Sequence, residues 1–188
     1  MDARSNTKVG LPDLICKNKI IRNGNFRSMV FRRTHVRFCT FLGTNMAYVK
    51  ILEGGTWAGD GWESCNLFRL TMERVTVEME EFKWCSMGNT RFTEVRLEAV
   101  RFQRCALQGS LWTGTELTGC VFQDCNFRGM RFAGGKMERV KFRNCIFDET
   151  DLYDVFMRKV YFQNCRFCGG RVPQGPGCSF QNCDLENI

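Results

Sequence analysis

Residues 120–149 read CVFQD-CNFRG-MRFAG-GKMER-VKFRN-CIFDE. Cut into fives, the third position holds Phe122, Phe127, Phe132, Met137, Phe142 and Phe147, and the first holds Cys120, Cys125, Met130, Gly135, Val140 and Cys145. Side chains in a helix realign every ~3.6 residues and those in a strand every two, so a period of five belongs to neither. Residues two apart share one side of an extended segment. The next inward pair starts three residues later, which requires a bend. Each unit is therefore a short straight side and a corner. A chain that always turns the same way, with its large residues inside, winds into a coil.

The pattern extends in both directions. From Leu67 to Phe167 every fifth residue, 21 in all, is apolar, in a chain that is 44% hydrophobic. A second period is superimposed. Cys65, Cys85, Cys105, Cys125, Cys145 and Cys165 are 20 apart, and so are Phe82, Phe102, Phe122, Phe142 and Phe162. Twenty is four fives, so four sides make one turn and each residue lies above its counterpart in the turn below. Turns stacked like paired strands are ~4.8 Å apart, a spacing at which phenylalanine rings attract one another. The expected class is all-β.

Segments such as CNFRG-MRFAG, CIFDE-TDLYD (145–154) and NCRFC (164–168) resemble the pentapeptide-repeat family. The resemblance implies a right-handed quadrilateral β-helix. Its usual motif places Ala two residues before a central Leu. Here Cys or Val replaces Ala and Phe often replaces Leu, a bulkier Cys/Phe-rich variant.

One domain is expected over 1–188, with regular coils at 63–168. The N-terminal part keeps the period in another frame, through Ile21, Phe26, Phe31, Val36, Phe41, Met46 and Ile51, so first coils are expected at 21–51 and a lead-in or cap at 1–20. The frame slips by one within 52–62, where EGGTWAGDGW carries four glycines. Glycine permits the φ > 0 geometry of a bulge or loop. The stretch is either one extra residue absorbed at a corner or a projecting functional loop. FQNC recurs at 162–165 and 180–183, 18 rather than 20 apart, so 169–188 is read as an irregular closing coil.

Composition narrows the function. No apolar run reaches the ~18 residues of a membrane span, and MDARSNTKVG has no apolar core of the kind a signal peptide needs. The 12 cysteines are therefore read as free thiols in a cytoplasmic or other reducing compartment, with non-classical secretion as an effector an alternative. One histidine, His35, leaves little for histidine chemistry. No nucleophile elbow, phosphate loop or paired-carboxylate motif is present, and a rod offers no concave pocket. The expectation is a non-enzymatic protein without cofactor, metal or small-molecule ligand.

Net charge is +7, and it is uneven. Residues 1–50 hold ten Lys/Arg against Asp2 and Asp13, a balance of +8, while the rest holds 17 against 18. Arg22, Arg27, Arg32 and Arg37, with Arg33 beside them, are expected as an outward belt on four successive sides. Tyr153, Phe156 and Tyr161 are expected as outward aromatics of a partner surface. Trp84, Phe68, Leu111 and Ile146 also fall outward. Cys165, Cys168, Cys178 and Cys183 form the best zinc-like spacing, but all save Cys168 fit the inward pattern. Glu80 falls at an inward position, which predicts a local distortion or neutralisation by Arg74 or Lys83.

These features point to a rigid scaffold that binds another protein, as a bacterial effector, an accessory protein or a subunit of a larger assembly. The family resemblance supplies an alternative, a DNA-mimicking protein that binds DNA gyrase. Such members are acidic and dimerise through a C-terminal helix, whereas this chain is basic and ends in FQNCDLENI. Nucleic-acid binding through the basic N-terminal coils is a further alternative.

Overall fold

The structure, a computed structural model, describes residues 11–12, 14–152, 154–171 and 177–186. They contain strands and turns only, wound into a β-solenoid of about eight turns. Four faces follow one another around each turn. The first carries Met72, Phe92, Trp112 and Phe132 as core residues, and the second Val77, Leu97, Leu117 and Met137. The third carries Phe82, Phe102, Phe122 and Phe142, and the fourth Met87, Leu107, Phe127 and Phe147.

All named strand pairs are parallel. The third face is one nine-stranded sheet from Ile20–Arg22 to Cys178–Gln181. The first two faces share a 13-stranded sheet, because Val30–Arg37 and Lys50–Ala58 cross the corner between them. The fourth face is held mostly by single bridges, from Asn25↔Asn45 to Ile146↔Arg166. Between faces the chain turns through the left-handed region: 23 described non-glycine residues have φ between 48° and 63°. An isolated residue there costs on the order of 1 kcal/mol. Bonds between turns on both sides of each corner, such as Arg101 N–H to Glu80 O at 2.9 Å and Arg104 N–H to Gln123 O at 2.9 Å, hold the geometry in place.

The core is a filled tube. The cysteines of the ladder from Cys65 to Cys165 are at most 2% exposed, and Phe82, Phe102, Phe122, Phe142 and Phe162 at most 4%. Ring centroids along the third face are 4.6–5.0 Å apart from Phe82 to Phe162. On the fourth, Phe127, Phe147 and Phe167 stack at 4.8 Å. The two stacks meet edge to face, as in Phe142 with Phe147 at 83°. Each such contact adds roughly 0.5–1.5 kcal/mol beyond burial. The small inward residues also satisfy carbonyls. Cys105 Sγ lies 3.4 Å from Phe82 O, Ser110 Oγ 3.2 Å from Met87 O, and Thr150 Oγ1 donates to Phe127 O at 2.8 Å. Thiols and hydroxyls reach a carbonyl in the turn below that an alanine would leave alone.

Strand pairing locates the start of the coils and the frame slip. Strand pairing starts at Leu11–Pro12 with Phe31–Arg32, ten residues before the expected first coil, because Cys16 already pairs with Val36 in the inward register. Residues 1–10 and 13, the rest of the expected cap, lie outside the described residues. The frame slip is confined to one corner. Phe31 faces Ile51, but Thr34 faces Gly55, so Glu53 and Gly54 stand opposite Arg33. The next turn restores 20, with Trp57 facing Val77. At the far end Phe162 faces Phe180, an offset of 18, and 172–176 and 187–188 lie outside the described residues.

Candidate partner-binding surface

With the interior filled by side chains, chemistry is left to the outward residues, two on each straight side. On the third face they form rows along the rod. Val121, Lys141, Tyr161 and Ser179 make one row, and Gln123, Arg143, Gln163 and Gln181 the other. Gly119, Arg139 and Lys159 run along the adjoining corner. Gly119 and Val121 are low and their neighbours tall, which leaves a shallow trough of about 650 Å³. Four cations line it, Arg139, Lys141, Arg143 and Lys159, and no carboxylate. Arg139 pairs with Glu138 at 2.7 Å. Tyr161, 45% exposed, stands at its centre.

The N-terminal arginines are arranged differently. Arg22 is on the third face, Arg27 on the fourth, Arg32 on the first and Arg37 on the second. Arg32 forms an ion pair with Glu53, Arg33 lies 3.8 Å from the same carboxylate, and Arg27 sits 4.8 Å over the Tyr48 ring. They encircle the rod, and only Arg32 and Arg33 meet, at Glu53. Phe156, 62% exposed, lies on the second face, around the corner from Tyr161. Tyr153 lies outside the described residues. Phe38 and Met79, each 61% exposed at corners, were not singled out from the sequence.

The late cysteines are dispersed. Cys165 is buried, Cys168 faces outward on the fourth face, Cys178 meets Met157 Sδ at 3.4 Å, and Cys183 Sγ lies 3.5 Å from Phe162 O. Among the described residues no group of three or more His, Cys, Asp or Glu is arranged to hold a metal ion. All 12 cysteines are free thiols.

Glu80 corrects the expectation of distortion or a basic partner. The coil runs through it regularly, and neither Arg74 nor Lys83 neutralises it. Its Oε2 accepts from Trp62 Nε1 at 2.6 Å and its Oε1 from Asp60 N–H at 3.2 Å. Asp60, one turn below, accepts from Cys39 N–H at 2.5 Å. Two carboxyl groups are thus stacked in the core. Burial first, then the Asp60 charge, pushes Glu80 well above the usual carboxylate range. Burial raises Asp60 too, opposed by its hydrogen bonds to Cys39 and Glu80.

The trough is not visible in charge summed along the chain. Residues 51–188 nearly balance, yet stacking the turns brings Arg139, Lys141, Arg143 and Lys159 together with no carboxylate among the lining residues.

Stacked five-residue sides around a square, filled core define a quadrilateral β-solenoid. A family profile described as a pentapeptide repeat region matches residues 60–132, and one described as pentapeptide repeats (9 copies) matches residues 113–155. The chain belongs to the pentapeptide-repeat family. No curated protein sequence matches it significantly. Among solved structures it is similar to full-length QnrB1, a plasmid-mediated fluoroquinolone resistance protein, with 13% identity over 95% of this chain and 94% of that one and a TM-score of 0.43. It is also similar to HetL, a pentapeptide-repeat protein involved in heterocyst differentiation regulation from the cyanobacterium Nostoc sp. strain PCC 7120. That match has 12% identity over 95% and 86% of the two chains and a TM-score of 0.35. No helix among the described residues is long and apolar enough to cross a membrane.

Proposed function

We propose that the protein is a non-enzymatic scaffold that binds another protein through its outer faces. The filled core carries this reading. Inward side chains are committed to ring stacks and carbonyl contacts, and what remains is a set of rigid, ladder-like surfaces with large exposed aromatics at Trp84, Phe156 and Tyr161. Exposed aromatics on a preorganised surface are the usual anchors of protein interfaces. The reading is tested by affinity capture from the native host with wild type and with Phe156→Ala combined with Tyr161→Ala. A protein retained in stoichiometric amount by wild type and depleted by the double variant is expected. Failure of any protein to co-elute at stoichiometry overturns it.

The gyrase-binding alternative requires a surface that imitates the charge of DNA. The net charge of +7 opposes it. A gyrase supercoiling assay with added protein separates the two, with no effect expected.

A further inference from the structure

We infer that the trough on the third face, around Lys141, Arg143, Lys159 and Tyr161, is a docking site for an extended acidic segment of a partner protein. The inference deepens the scaffold reading and rests on it.

The first observation is uncompensated charge gathered in one place. At four points on the rod an arginine meets a carboxylate on the neighbouring turn: Arg96 with Glu116 at 3.3 Å, Arg104 with Asp124 at 3.9 Å, Arg128 with Glu149 at 2.7 Å and Arg131 with Asp151 at 4.0 Å. In the trough three cations lie together without such a partner, and no carboxylate lines it. Lys141 is flanked by Val121 and Tyr161, and Arg143 by Gln123 and Gln163. Lys159 stands one turn above Arg139, at the roughly 4.8 Å spacing of adjacent strands, where like charges repel. Glu138 does not offset this, because Lys136, Arg139 and Arg158 already share it. Among the described residues Lys141, Arg143 and Lys159 have no ion-pair partner. Carboxylates from outside would supply what the neighbouring turns supply elsewhere.

The second observation is spacing. Lys141 and Arg143 project from one strand two residues apart, roughly 6.5–7 Å. Acidic residues at alternate positions of an extended segment have the same separation. The amides of Gln163 and Gln181 offer a donor and an acceptor each to a peptide backbone, and Tyr161 offers apolar surface for one side chain. The cations span only two turns, too short a track for the continuous basic stripe that nucleic acid requires.

The probe is a fluorescein-labelled peptide of about ten residues with Asp or Glu at alternate positions and one Phe. It is titrated by fluorescence anisotropy between about 50 and about 200 mM salt, beside an oligothymidylate of equal charge. Saturable peptide binding is expected, weakened at least about tenfold by Lys141→Glu with Arg143→Glu and again by Lys159→Glu. Lys141→Arg should retain it, and Arg22→Glu with Arg37→Glu should change it less than about twofold. Circular dichroism confirms that each variant is folded. Absent binding, equal loss in the Arg22/Arg37 variant, or tighter trough-dependent binding of the oligonucleotide each overturns the inference. A partner captured equally by wild type and by the Lys141/Arg143 variant removes the trough while leaving the scaffold reading intact. Failure to capture any partner removes the scaffold reading itself.

Discussion

At the scale of single residues the stacked acids Asp60 and Glu80 give the molecule a pH signature. Burial raises both carboxyls above their unfolded values, so the folded state holds protons that the unfolded chain releases. A carboxyl raised in this way contributes stability below its unfolded pKa, and that contribution is lost as pH rises toward the folded one. The protein is therefore expected to lose stability from about pH 4 upward on account of this pair. Glu80→Gln keeps an acceptor for Trp62 and removes the titrating group, but its NH2 replaces the oxygen that accepts from Asp60 N–H. It should flatten the pH dependence of stability, read from urea midpoints between pH 5 and 8, whatever the lost hydrogen bond costs at every pH. A steeper dependence in the variant would contradict this account. Glu80 is legible in the sequence as a charge at an inward position. Asp60 is not, because it lies within the frame slip, where the interrupted period places no residue in a column.

The corner is the element on which the fold depends, and its left-handed backbone divides the glycines into two kinds. At Gly55, with φ +120°, an added Cβ would lie 2.3 Å from Thr34 O. At Gly119, with φ +65°, it would meet nothing within 4 Å. Gly55→Ala is expected to cost more than about 2 kcal/mol, through a clash with fixed backbone, and Gly119→Ala about 1 kcal/mol of backbone strain. Chemical denaturation compares the two directly, and equal costs would refute the close approach of Gly55 to the Thr34 carbonyl. The sequence showed that a residue is inserted within 52–62, since the phase of the apolar residues changes there. It did not show which one, because four glycines offer the same conformational freedom and only the pairing of Thr34 with Gly55 distinguishes them.

Over the whole molecule each turn touches only its neighbours, so stability is a chain of adjacent contacts. Phe122 is stacked on both sides, by Phe102 at 4.6 Å and Phe142 at 4.9 Å, while Phe180 meets Phe162 from one side. Phe122→Ala is expected to cost about 3–5 kcal/mol and to raise amide exchange on the turns both above and below. Phe180→Ala should cost less and raise exchange only near Cys178–Gln181 and Tyr161. Exchange mass spectrometry separates these patterns, and a local response to both substitutions would mean that the turns are not coupled. The solenoid was legible because one period governs 21 residues. The trough was not, because Lys141, Arg143 and Lys159 are unremarkable along the chain and become a cluster only when turns are stacked.

From Trp62 to Phe162 the pairing offset stays at 20, with no irregular turn between. The rod is thus graduated like a measuring stick. Arg22 and Arg143 occupy the same row, six rungs and roughly 29 Å apart. A copied block of 20 residues, spliced in between them, would lengthen that gap by one graduation and leave every face pointing as before. Reach along the axis and identity of the surface are therefore independent quantities in this chain, and either can be altered without disturbing the other.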